Sequence, residues 1–522
     1  MLSLRAQRSN LWHFAGYYSL NLTTNIGFRK DFVVNGADCF AALAMTALFI
    51  EKPTNSMSKY NAPVTAFSFK GKLLIYLLRL LLTPIHWLKG KTWQSPPPQY
   101  NDDPRHFSTA DLLYFAYKYY YQSPIYDDVN GAVVDFFQKH PPHYQKPSDF
   151  ISTQKVTITA AGDLMPYAWI QPQYCTHLWD DIADDFFDAD ITFANLETPI
   201  DVAQPKSLVP EVMLNDMLFN ADEDMFTLFN GDNRVGHRYM KRGKRGFDIL
   251  STANNHSLDM GEEGVYETLA FLENKDILAI GTARNETESN YITIVEKNGI
   301  NIAFIAYTFS MNKFANPKDK PWLVNHIEFN RPDVDITRIE NDVVTAKSKG
   351  ADIVILSLHA GNAYQPYPAW HTVQNINKIF TTCGVDIILG GHPHNVQPMA
   401  GYDFICPFIQ AEKRGFVLFS FGDFIGYDIY NRCRLSVYLK LTIEKSDSTG
   451  ETLLTEVKAV PVYTCGIYHS HDERDLRLLD MKKWYGLIEA GKAALLPDRN
   501  KEELRELMDF YAEYFEKNLE QK

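Results

Sequence analysis

Between Lys155 and Phe424 the apolar residues come in short β-branched runs that stop abruptly at polar residues. They read KVTITAAGD, DADITFANLE, FDILSTANNH, NIAFIAYTF, ADIVILSLHAG, VDIILGGHPH and FVLFSFGDF. Such runs predict buried strands, and the stretches between them, GVYETLAFLENK and AWHTVQNINKIFTTC, carry the three-to-four spacing of helices. Strand–helix alternation over this length predicts an α/β layered domain. Upstream, TADLLYFAYKYYYQSP and AVVDFFQKH predict helices broken at Pro124, Pro141 and Pro142, with a Tyr/Phe stripe that reads as packing surface. Downstream of Cys465, DLRLLDMKKWYGLIEAGKAALL and KEELRELMDFYAEYFEKNLEQ predict a charged helical appendage.

The resulting division is residues 57–150 helical, 151–470 the α/β domain and 471–522 the appendage. Residues 1–56 read differently. LSLRAQRSNL and DCFAALAMT look like translated intergenic repeats at an over-extended start, with Met57 as the expected true start; the alternative is a genuine extension. The run LLIYLLRLLLTPIHWL, Leu73 to Leu88, is interrupted by Arg79, Pro84 and His86 and falls short of the ~20 apolar residues of a spanning helix. It predicts a helix packed on the main domain. The alternative is a helix lying in a membrane interface between Lys70, Lys72, Lys89 and Lys91. With no small-residue cleavage site after CFAALAMTALFI, the expectation is a cytoplasmic protein whose membrane contact is at most peripheral, through residues 73–88.

Composition narrows the function. At 45% hydrophobic and 22% charged the chain is an ordinary globular protein, and its length calls for more than one structural unit. A net charge of −13 argues against a nucleic-acid partner. Six scattered cysteines without a C-x-x-C pair suit free thiols.

The chemistry gathers where the strands end, the usual ligand side of layered sheets. AAGDLM presents Asp163, FANLETP presents Asn195 and Glu197, and TANNHSLDMG presents Asn254, Asn255, His256 and Asp259. SLHAG presents His359, and GGHPH presents His392 and His394, one residue apart and so pointing the same way on an extended chain above two glycines free to turn. Carboxylates, imidazoles and an amide oxygen without cysteine suit Mn, Fe or Zn. The insert from Asp201 to Gly246 carries Arg238, Lys241, Arg242, Lys244 and Arg245, which read either as an attractor for an anionic substrate or as a solvated loop.

The order GD, NLE, ANNH-x-x-D-x-G, H, GGHPH and S-x-G-D-F resembles the poly-gamma-glutamate capsule-synthesis (CapA) family, a branch of the calcineurin-like metallophosphoesterases, over about Lys155 to Tyr427. The resemblance implies an α/β/β/α sandwich of two mixed sheets with helical additions at both ends. It implies two divalent cations held by Asp163, Glu197, Asn255, His359, His392 and His394, and two-metal hydrolysis of a phosphoester or an anionic polymer intermediate. His256 matches the phosphoesterase acid, with Asp259 holding its tautomer; the alternatives are a further ligand or a core histidine, and a turn at Asp259. Asn195, Arg242 and Arg245 are candidate substrate contacts. The sequence departs from the family pattern at Met165, where phosphoesterases carry histidine. It departs again at Ala360 and Ala363, where capsule proteins commonly read H-W-G-x-E-Y, and at Asp423 in place of an amide. The balance leans toward a hydrolase working with capsule-synthesis machinery. A non-catalytic component of polymer assembly or export that keeps the metal fold is the second reading.

Overall fold

The computed structural model describes residues 66–126, 131–214, 217–231, 246–468 and 474–518. Residues 1–56, Met57 and the basic run 238–245 lie outside them.

Strands β1 (Gln154–Leu164), β2 (Ile191–Leu196), β3 (Ile249–Ser251) and β4 (Leu278–Ile280) run parallel in that order. β5 (Thr293–Lys297), β6 (Ile300–Thr308), β7 (Ile353–His359), β8 (Ile387–Gly391), β9 (Val396–Ile405) and β10 (Glu412–Phe421) form a six-stranded sheet ordered β5-β6-β7-β8-β10-β9. The chain then returns to the first sheet with β11 (Asp423–Ile425), β12 (Leu435–Lys445), β13 (Thr452–Tyr468) and β14 (Arg474–Asp480). That completes an eight-stranded sheet ordered β14-β13-β12-β1-β2-β3-β4, with β11 paired to β1. Both sheets are mixed.

Alternation explains why the strand sequences look uniformly apolar. Val156, Ile158, Ile191 and Phe193 of one sheet meet Ile302, Phe304, Ile353, Ile355, Ile387 and Leu389 of the other in a single core between the sheets. Their neighbours Ala303, Ile305, Val354, Leu356 and Ile388 point outward into a second core. Strands buried on both faces need no polar side.

Nine helices are used below. They are α1 (Phe69–Lys89), α2 (Thr109–Tyr120), α3 (Ala132–Lys139), α4 (Glu223–Phe229), α5 (Gly261–Glu273), α6 (Thr337–Ser348), α7 (Trp370–Lys378), α8 (Met481–Glu489) and α9 (Asp498–Tyr514). α4 covers the outer face of the first sheet, and α3, α6 and α7 that of the second, giving the expected α/β/β/α order. The Tyr/Phe stripe of α2 is packing surface, with Tyr114, Tyr117, Tyr119 and Tyr120 buried. The five described cysteines are free and buried.

Two readings need correction. Asp475–Asp480, expected to begin a helix, is part of β14 and pairs with β13; helices start only at Met481, and α8 and α9 then pack into the inter-sheet core. The expectation that Arg79, Pro84 and His86 interrupt the apolar run also fails. α1 is one 21-residue helix containing Pro84, long and apolar enough by length and composition to cross a membrane. The polar residues do not break it because they face the protein: Arg79 Nε donates to Tyr120 O (3.0 Å) and His86 Nδ1 lies 2.7 Å from Tyr117 Oη. Ile75 and Leu82 are buried on the same side. Phe69, Leu73, Tyr76, Leu77, Trp87 and Leu88 face outward, Phe69 81% and Leu88 79% exposed.

Candidate metal centre

Five parallel strands end at one place. β1 delivers Asp163, the residue after β2 is Glu197, the loop after β3 carries Asn254 to Asp259, β7 ends on His359, and the loop after β8 carries His392 and His394. All are buried, His256 the most exposed at 8%.

The glycines before His392 act differently from the sequence reading. A Cβ on Gly390 would stand 2.2 Å from Phe419 O, and one on Gly391 would stand 2.9 Å from Asp163 Oδ1 and 3.2 Å from His359 Nδ1. They are glycines because β10, Asp163 and His359 pass so close. The turn falls on the histidines themselves, with φ of +91° at His392 and +60° at His394, so the segment is not extended as expected. Left-handed backbone at non-glycine residues is strained, and such strain gathers at functional sites. The two rings nevertheless converge, with centroids 5.7 Å apart.

Ligand atoms of Glu197, His359 and His392 lie within 4.8 Å of one another, and so do those of Asp163, Glu197 and His394. Glu197 belongs to both groups. Its two carboxylate oxygens are buried without a hydrogen-bond partner, as are both ring nitrogens of His392. Unpaired buried polar atoms are costly, and acceptors facing one another are what a bound cation would satisfy. Asn255 Oδ1 lies 2.7 Å from His359 Nε2, on the side of Glu197 Oε1 (3.5 Å). The donor set therefore fits divalent cations.

The electrostatics follow from burial and from the facing carboxylates and imidazoles. Burial and the neighbouring Glu197 push the Asp163 carboxyl up to about 6, against the pull of His359 and His394. Burial holds His359 down to about 3 and, despite Asp102, His392 down to about 4. Both rings are thus neutral. Burial would lower His394 too, but Asp423, Glu197 and Asp163 raise it to about 10.

Around these atoms sits a positioning layer. Asn195 Nδ2 donates to Asp163 Oδ1 (2.8 Å) and lies 3.2 Å from His359 Nδ1, while Asn195 Oδ1 accepts from Asn254 Nδ2 (3.3 Å). Its amide is engaged by site residues. His256 Nδ1 lies 2.6 Å from Asp259 Oδ2, which also accepts from Phe219 N (2.7 Å). The Phe219 ring stacks on the imidazole at 3.8 Å. Arg242 and Arg245 lie outside the described residues.

Sequence reasoning missed three neighbours. Asp423, noted from the sequence only as a departure from an amide, is fully buried with Oδ1 2.9 Å from His394 Nδ1; the β1–β11 register that sets Asp163 beside Asp423 was the missing signal. Phe219 comes from the insert after Asp201 and Asp102 from far upstream, and no local pattern marks either.

The model of the family described as "Bacterial capsule synthesis protein PGA_cap" matches residues 157–428, more than half of the chain. The chain belongs to the PGA_cap family. Its PGA_cap segment holds every site residue named so far except Asp102. Curated relatives include the capsule biosynthesis protein CapA of Bacillus anthracis, 28% identical over 34% of this chain and 40% of the relative. The PGA biosynthesis protein CapA of Bacillus subtilis is 28% identical over 40% of this chain and 50% of the relative. The chain thus matches half or less of the length of these relatives. Among solved structures, a novel phosphatase from Mycoplasma pneumoniae aligns over 60% of this chain and 95% of its own at 11% identity and a TM-score of 0.33. The calcineurin-like phosphoesterase YfkN of Bacillus subtilis aligns over 59% and 90% at 14% identity and a TM-score of 0.27.

Proposed function

We propose that this PGA_cap protein is a two-cation hydrolase of capsule polymer biosynthesis, acting on a phosphoester or an anionic polymer intermediate of the poly-gamma-glutamate kind. The observation that carries the reading is the sharing of Glu197 between two ligand groups, the arrangement expected of a carboxylate between paired cations. Asp163 and His394 would hold one cation with Glu197; His359, His392 and Asn255 would hold the other. Such cations, when bound, supply Lewis acidity toward the attacked and leaving oxygens and make water more acidic. The chain's own residues do the rest. Asn195 fixes the Asp163 carboxylate and the His359 ring. Asp259 holds a proton on His256 Nδ1, and Phe219 fixes the plane of the ring, which leaves Nε2 to deliver a proton to the leaving group. Arg242 and Arg245 remain candidates for drawing an anionic substrate to the site.

The exposed apolar face of α1, with the exposed Lys70, Lys72, Lys89 and Lys91 at its two ends, supports peripheral contact with an anionic cytoplasmic membrane face, where capsule-synthesis partners would be met. The second reading, a metal-fold component of polymer assembly without turnover, is favoured by Ala360 and Ala363, which remove side chains the resembled motif uses. Metal analysis of the purified protein followed by a screen of phosphoesters and glutamyl polymers tests the proposal. Metal-dependent turnover supports it, whereas bound metal with no turnover on any substrate favours the second reading.

A further inference from the structure

Residues Tyr100 to Asp103 form a short strap, far outside the PGA_cap segment, threaded into the wall of the metal centre. Asn330 Nδ2 donates to Asn101 O (2.9 Å) and to Gly361 O (2.6 Å), while its Oδ1 accepts from Gly361 N. Asn362 Nδ2 donates to Tyr100 O (3.4 Å), and Ser310 Oγ donates to Asp103 Oδ1 (3.1 Å). At the centre of the strap Asp102 is 4% exposed and sits in the left-handed region, φ +58°, which Asp tolerates better than most residues. One carboxylate oxygen, Oδ1, accepts from Tyr100 Oη and lies 3.4 Å from the ammonium of Lys118, itself fully buried. The other, Oδ2, accepts from Ala363 N and faces His392 Nε2 at 3.4 Å.

From this we infer that Asp102 is a positioning residue for His392, a carboxylate brought in from upstream to orient a metal-binding imidazole. The inference rests on the reading that His392 holds a cation. The His392 ring also has the Phe309, His359 and His394 rings near it, with centroids at 4.5, 5.2 and 5.7 Å, and shares a ligand group with Glu197; Asp102 is the carboxylate in ion-pair contact with its Nε2. Neither ring nitrogen has a hydrogen-bond partner, and the 3.4 Å approach of Asp102 Oδ2 to Nε2 is an ion-pair contact; a proton kept on Nε2 beside that carboxylate leaves the Nδ1 lone pair for a cation. A carboxylate behind a ligating histidine fixes its tautomer and orientation and raises its basicity; loss of such a partner costs about 10- to 100-fold in metal affinity. The strap reaches the main chain of Ala363, the position where the resembled motif carries a carboxylate side chain and this sequence does not. Tyr100 Oη and Ala363 N also donate to the Asp102 carboxylate, so its place beside His392 does not rest on the Lys118 ion pair alone.

The test must separate orientation of His392 from anchoring of the strap. Asp102→Asn with Lys118→Met removes the carboxylate without stranding the buried lysine; Lys118→Met alone breaks the same ion pair but leaves the carboxylate on His392. Affinity of the metal-stripped full chain for Zn²⁺ and Mn²⁺ is read by competition with a chromophoric chelator, and the Co²⁺ visible spectrum reports the ligand field. The double variant is expected to bind about 10- to 100-fold more weakly with an altered Co²⁺ spectrum, and Lys118→Met to stay within about threefold of the parent. Should the double variant not fold, Asp102→Asn alone is read in the same way. Equal losses in both variants would make Asp102 a structural anchor, and parental affinity in the double variant would remove it from the site; either result overturns the inference. A parent that binds no cation instead overturns the metal reading itself.

Discussion

Glu197→Gln should make the metal-free protein more stable and the metal-loaded protein impossible to form. In the absence of cations Glu197 is a buried carboxylate whose two oxygens accept no hydrogen bond, set beside Asp163. Burial, with Glu197 as the second cause, lifts Asp163 from 3.8 to about 6, which is about 3 kcal/mol against its ionised form. Neutralising position 197 returns only the Glu197 share of that. It also replaces a carboxylate whose two buried oxygens accept no hydrogen bond by an amide that can donate, and an unsatisfied buried group costs about 1–3 kcal/mol. Together these give a gain on the order of 2–4 kcal/mol, a rise in Tm of about 2–4 °C in a chain of this size. Melting curves in excess chelator measure it. With Mn²⁺ or Zn²⁺ at 100 times its Kd the parent should gain about 2.7 kcal/mol, whereas the variant should not respond. The two proteins should therefore exchange rank when metal is added. A Glu197→Gln protein that melts lower than the parent in chelator, or that keeps the metal-induced rise, would refute the account of Glu197 as a shared ligand held at a cost.

The remaining expectations separate the roles of neighbouring residues. His256→Ala should retain bound metal and lose about 10²- to 10⁴-fold in turnover once a substrate is found, whereas His392→Ala or His394→Ala should lose metal and turnover together; plasma emission analysis and kinetics on the same samples decide it. The His394 pKa, raised to about 10 from 6.5, contributes stability that is complete below pH 6.5 and is lost as pH rises through 10, so chelator-treated protein should weaken across that window. Asp423→Asn should flatten that slope, and an unchanged slope would remove Asp423 as its source. Replacing Phe69, Trp87 and Leu88 by serine should abolish sedimentation with anionic vesicles without shifting Tm by more than about 2 °C, because all three side chains already face outward. Equal sedimentation of parent and variant would sink the membrane contact.

The central sheets were legible because each strand carries its own evidence: β-branched runs such as Ile353–His359 and Ile387–Gly391 announce both strand and stop. The residues gathered in the site were legible for the same reason, each standing at the end of such a run. What escaped depends on contacts between distant parts of the chain. Asp102 meets Ala363 across 261 positions, and Phe219 covers His256 from within an insert without periodicity. Leu476 and Leu478 have strand spacing but Leu476 and Leu479 helical spacing, and only pairing with β13 settles β14. The contacts that Tyr117 and Tyr120 make with the polar side chains of α1 are not encoded in the run itself.

The strand-by-strand dispersal of the metal centre has a kinetic meaning. Asp163 and His392 touch across 229 positions, and Asn255 and His359 across 104. Closing loops of that size in a disordered chain is entropically expensive, and the one pair close in sequence, His392 and His394, is divided between the two ligand groups. Metal therefore cannot template this fold in the way that zinc templates a small finger. Both sheets must pair first, with β1 closed against β11 and β8 against β10, before six side chains face one point. A newly made chain would complete its search for structure before any cation could be held, with both Glu197 oxygens buried and without a hydrogen-bond partner.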